Sequence, residues 1–135
     1  MNKGNLKKMA DYIETIPQDK FDMYHFREGE SVKHECDSVG SVLGHCTILD
    51  RRPLPLDKSG EIDYYAWSKD FTGLPSNSYE WQYLFFYSWS ACDNTPVGAA
   101  KRIRHFLEQG LPKDWQKQME GDASLSCYAP PSYIR

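Results

Sequence analysis

The sequence predicts a small, mostly α-helical fold. It comprises one globular domain over residues 1–120 and an irregular C-terminal tail over residues 121–135. Three observations lead there. Apolar residues recur at helical spacing in several segments. Those segments carry start and stop residues, such as "NTP" at 94–96 and "GLP" at 110–112. The 135 residues, 40% of them hydrophobic, are enough for one core without disulfide staples. One segment, 79–90, leaves an α+β variant open, with a short aromatic strand or hairpin.

In the first segment, Leu6, Met9, Ala10 and Ile13 share one helical face, and Asn5 is expected to cap it. Pro17 stops this helix, because the residue before a proline avoids the helical region. Phe21, Met23, Tyr24 and Phe26 form an aromatic-rich cluster expected to fold back onto it. Residues 27–37 are polar and are expected to form a loop. From Ser38, a plain N-cap residue, Val39, Val42, Leu43 and Cys46 line one face of a short helix. Gly40 and Gly44 on another face would let a second backbone approach. Residues 50–60 hold two prolines and no periodicity, which predicts a linker.

Residues 61–72 predict a helix that buries Ile62, Tyr65, Ala66 and Trp67 and stops at Gly73 and Pro75. In "NSYEWQYLFFYSWS", Asn77 and Glu80 resemble a capping box, so a helix is preferred. Yet Trp81, Tyr83, Phe85, Tyr87 and Trp89 alternate strictly, as in a strand. The clearest helix follows. Thr95 caps it, Pro96 occupies its first position, and Ala99, Ala100, Ile103, Phe106 and Leu107 form its buried face. Gly110 and Pro112 end it. A short helical turn around Trp115 and Met119 completes the domain.

Composition excludes some function classes. Sixteen basic against nineteen acidic side chains leave a net charge of −3, which argues against non-specific nucleic-acid binding. No apolar run reaches the roughly 18–20 residues of a membrane span. The opening "MNKGNLKKMADYIE" lacks the apolar centre of a signal peptide. The expected location is therefore the cytoplasm, with Cys36, Cys46, Cys92 and Cys127 reduced.

Three groups of residues suggest chemistry. His34, Cys36, His45 and Cys46 place two imidazoles and two thiols in one stretch, the residue types of a zinc site. Their spacing fits poorly, since neighbours on a helix diverge by about 100°. Close packing of Cys46 explains the stretch as well, and no cofactor is expected. Cys36 before a helix N-terminus could pair with His45 as a thiol centre, but spacing supplies no orienting third group. Lys101, Arg102, Arg104 and His105 predict a solvated basic face, with Arg104 and Glu108 as an i,i+4 pair. The third group is aromatic. Tyr79, Trp81, Tyr83, Tyr87 and Trp89 crowd into eleven positions with Phe85 and Phe86, more rings than one buried face absorbs. Tyr and Trp anchor many protein interfaces, so these five are the expected partner-binding residues.

The order of these features resembles a diffuse family of small bacteriophage and prophage proteins. The matching pieces are Ile16-Pro17 with "FDM" at 21–23, "CDSVGSVLGH" at 36–45, and the stretch from Thr95 to Pro112. The family pattern there is Cys-Gly-Thr-x-x-Cys-x-x-Gly-His, followed late in the chain by "TP…AAKRI..FL..G.P". Ser41 stands where that pattern has its second cysteine, so a site requiring the cysteine pair is absent. The resemblance implies a viral or prophage origin and a small helical domain, and it transfers no activity. The expectation is a non-enzymatic accessory protein that binds a host protein, with inhibition of a host defence system, as by an anti-CRISPR, as a special case. The alternatives are a small metal or thiol enzyme centred on Cys36 and His45, and a nucleic-acid-associated regulator using residues 96–109.

Overall fold

A computed structural model describes residues 1–26 and 39–120. It is mostly helical. Among the described residues are six α-helices: α1 Lys3–Ile13, α2 Val42–Cys46, α3 Tyr64–Thr72, α4 Tyr79–Phe85, α5 Pro96–Gln109 and α6 Trp115–Glu120. Short 3-10 turns at Gln18–Lys20, Thr47–Leu49 and Tyr87–Ala91 join them. These residues contain no strand, only isolated bridges between Phe21 and Gly40 and between Leu56 and Ile62. No helix among them is long and apolar enough to cross a membrane. The loop expected at 27–37, the tail at 121–135 and Cys127 lie outside the described residues.

The fold is organised around α1. Leu6, Met9, Ala10 and Ile13 are each fully buried, as their spacing predicts. Burying a side chain the size of Leu or Ile contributes about 1.5–3 kcal/mol, so this face orders more chain than its own helix. It lies chiefly against α5, whose Ala99, Ala100, Ile103 and Phe106 are also buried, while α2 and α3 cover the rest. The alanines keep side-chain bulk low where the two helices meet. The start of α1 differs from expectation. Asn2 is the cap, its Oδ1 accepting from Asn5 N at 2.9 Å. The Asn5 side chain instead donates to the Phe71 carbonyl at 2.8 Å, tying α1 to the end of α3.

Helix α2 is shorter than the spacing predicts. It starts at Val42, because Gly40 pairs its backbone with residues 20 and 22. Gly40 N donates to the Lys20 carbonyl at 3.1 Å and its carbonyl accepts from Asp22 N at 2.9 Å. That extended pairing cannot coexist with a helical residue, and the expected cap Ser38 falls outside the described residues.

In α3, Asp63 is the N-cap and Gly73 adopts φ 78° at the C-cap, a left-handed conformation that glycine adopts without strain. Trp67 and Phe71 are buried here, whereas Tyr65, expected inside, is exposed and Ala66 is half-buried. The 79–90 ambiguity resolves to helix. Ser78, one residue after the expected Asn77, caps α4 by accepting from Trp81 N at 3.1 Å. The alternating rings then point around the helix, so α4 is buried on both sides. Helix α5 matches its expected bounds, from the Thr95 cap to Gly110.

Asp50 fastens the linker to this core. Its carboxylate accepts from Arg52 Nε at 3.0 Å, Arg52 Nη2 at 2.9 Å and Trp67 Nε1 at 3.0 Å. These donors, Arg52 first, pull its pKa down to about 2, and its side chain is only 6% exposed. The folded pKa lies below the unfolded value near 3.9, so the contribution is present above about pH 4 and lost as pH falls toward 2. Arg52 is exposed and screened, which keeps the effect to about 1–2 kcal/mol. Urea unfolding between pH 2 and 5 should therefore show a steeper acid loss in the native chain than in Asp50→Asn. Equal slopes would remove Asp50 from the account.

Candidate functional site

The aromatic rings gather at a cleft of about 150 Å³ whose lining includes Tyr24, Phe26, Tyr65, Trp81, Phe85 and Tyr87. Three separate parts of the chain meet there: the 21–26 segment, α3, and α4 with the turn after it. Met23, Trp81 and Phe85 form a buried floor. Trp81 and Phe85 are one helical turn apart on α4, so they face the same way, with centroids 5.8 Å apart. The Trp81 indole donates to Ser68 Oγ at 2.8 Å, which satisfies its only donor and fixes the ring.

The rim is different. Tyr24, Tyr65 and Tyr87 are 38%, 52% and 44% exposed, too open for core residues and too apolar for an ordinary surface. They are held by ring contacts. Tyr24 meets Tyr87 edge-on at 5.9 Å, Tyr65 leans on Trp81 at 5.6 Å, and Phe26 meets Tyr65 edge-on at 5.2 Å. Phe86 and Tyr87 contact each other at 4.6 Å. Such pairs add about 0.5–1.5 kcal/mol each beyond burial.

The five expected partner-binding residues are divided among three places. Trp81 and Tyr87 belong to this cleft, one in the floor and one on the rim. Tyr83 and Trp89 are buried on the other side of α4, where the Trp89 indole donates to the Tyr83 carbonyl at 2.7 Å. Tyr79 is 61% exposed but packs against Trp115 of α6 at 5.2 Å. Tyr24, Phe26 and Tyr65 complete the cleft and were not expected there. The aromatic cluster at 21–26 was visible in the sequence, but its meeting with α3 and α4 depends on the chain path.

The histidine–cysteine stretch is built for packing where it is described. His45 is buried and its Nε2 donates to the Lys20 carbonyl at 2.6 Å, so that nitrogen carries the proton. The Cys46 thiol is buried beside the Met9 carbonyl at 3.9 Å, and desolvation pushes its pKa far above the usual thiol range. His34 and Cys36 lie outside the described residues. No group of three or more metal-ligating side chains occurs among the described ones.

The basic face on α5 is also rearranged. Arg102 is buried rather than solvated. Arg104 reaches across to α1, donating to Asp11 at 2.9 Å and pairing with Glu14, instead of pairing with Glu108. Two of the four expected surface cations are thus committed to other groups. No protein-family model, curated protein or solved structure matches the chain.

Proposed function

We propose that this chain is a non-enzymatic binding protein and that the aromatic cleft is its contact surface. The observation that carries this reading is the ring-ordered rim of Tyr24, Tyr65 and Tyr87 over an apolar floor. Rigid tyrosines offer large contact area at small entropic cost, and the cleft has room for one apolar side chain. The partner is a protein that inserts such a side chain. The resemblance to small bacteriophage proteins makes that partner a host protein, reached in the host cytoplasm. A component of a host defence system is the special case to test first.

The test is capture from a bacterial lysate on the immobilised chain, followed by affinity measurement with the captured protein. Tyr87→Ala and Tyr65→Ala change exposed residues, so each should lower stability by no more than about 1.5 kcal/mol. Each should weaken partner binding by about tenfold or more, as removal of an aromatic anchor does. A partner bound equally well by both variants would place the interface elsewhere. Capture of nothing above background would count against the binding reading itself.

A further inference from the structure

A second cavity, of about 230 Å³, lies where α4, α5, α6 and the turn at Tyr87–Ala91 meet. Its lining includes Tyr83, Asp93, Lys101, Arg102, His105 and Gln118. Arg102 carries the cavity's most buried charge. The residue is only 6% exposed, and its guanidinium lies 3.9 Å over the Trp89 ring. Nη1 donates to Asp93 Oδ2 at 3.1 Å and Nη2 to the Asp93 carbonyl at 3.5 Å. A guanidinium carries five N–H donors, and Nε has no partner among the described residues. Burial lowers the Arg102 pKa to about 10, so it remains a cation at neutral pH.

The remaining lining adds further donors. Tyr83 is 3% exposed, and its hydroxyl has no hydrogen-bond partner among the described residues. Burial raises its pKa, which keeps it a protonated donor. Lys101 is exposed and forms no ion pair among the described residues. Asp93 is the single carboxylate among the described lining residues. It already accepts from Thr95 Oγ1 at 2.7 Å as well as from Arg102. Two permanent cations therefore line the cavity beside one occupied carboxylate.

We infer that this cavity binds a small oxyanion of the phosphate class, anchored by Arg102 and completed by Lys101 and the Tyr83 hydroxyl. A guanidinium fork suits such an anion, and Trp89 and Asp93 already hold this one in place, so little freedom is lost on binding. A phosphate offers acceptor oxygens in several directions and close to two charges, which outweigh the repulsion of Asp93. A carboxylate offers its acceptors in one plane and only a single charge. The site is separate from the aromatic cleft, and either can fail without the other.

The experiment titrates inorganic phosphate into the full chain at constant ionic strength and follows amide and indole NMR shifts. Saturable shifts are expected at residues 98–105, at the Trp89 indole and in α6, with a dissociation constant in the millimolar range or tighter. Lys101→Gln alters an exposed residue and should weaken binding by about tenfold. Tyr83→Phe should weaken it severalfold, and Arg102→Lys more than either, because the charge stays but the fork is lost. Shifts that fail to saturate, that chloride or acetate reproduces, or that persist unchanged in Lys101→Gln would overturn the proposal.

Discussion

Asp93→Ala should destabilise the fold by about 2–4 kcal/mol, read as a fall in Tm of roughly 10 °C by calorimetry. The side chain of Arg102 is 6% exposed and Asp93 is its only ion-pair partner among the described residues. Removing one member of a buried pair leaves an uncompensated charge, which costs about 3–5 kcal/mol when both partners are fully buried. Asp93 is 42% exposed, so water recovers part of that and the lower range applies. The Trp89 ring keeps some hold on the guanidinium. The double variant Asp93→Ala with Arg102→Met should regain most of the loss, since an apolar replacement of both partners leaves no stranded charge. If the double variant is no more stable than Asp93→Ala alone, the damage does not come from the charge.

Gly98 tests the same arrangement from the backbone side. A Cβ there would sit 2.0 Å from Asp93 Oδ2, so any other residue must displace the carboxylate from Arg102. Alanine normally stabilises a helix interior by about 1 kcal/mol relative to glycine. Gly98→Ala should do the reverse, losing about 1–3 kcal/mol through overpacking and the disturbed pair.

Trp67→Ala should cost about 3–5 kcal/mol, a large part of the 5–15 kcal/mol available to a domain of this kind. Trp67 is 1% exposed and stacks on Phe71 with centroids 5.0 Å apart. Truncation removes that area, leaves a cavity beneath α3, and takes one donor from Asp50. Trp67→Phe keeps much of the volume and loses mainly the indole bond, so it should cost about half as much or less. Urea midpoints at neutral pH separate the two. Equal losses would assign the whole effect to the hydrogen bond rather than to packing.

These residues also show what could be inferred before the chain path was known. Helix α5 was legible because all its signals are local. Thr95, Pro96, the apolar face and Gly110 act within the helix itself, and the Thr95 hydroxyl accepts from Gly98 N as a cap should. The buried face of α1 was legible for the same reason. The caps at Asn2 and Ser78 were displaced by a few residues or fewer, because neighbouring polar residues compete for one role and tertiary contacts decide between them. Asn5, a reasonable cap by type, is used instead to bind the Phe71 carbonyl 66 residues away.

The sites were less legible than the helices. An aromatic run announces many rings but not their directions. Only helical winding of α4 separates Trp81 and Phe85 from Tyr83 and sends them into different cavities. Arg102 sits among surface cations in the sequence. Asp93, Gly98 and Trp89 draw it inside by charge, by absence of a side chain and by an aromatic face. Sequence alone determined the helical class, the strongest helix and the apolar face of α1, because those follow from periodicity and capping within a few residues. Only the tertiary structure decided which rings form a cleft and which cation is buried. Those depend on distant segments meeting, and spacing along one segment carries no record of that.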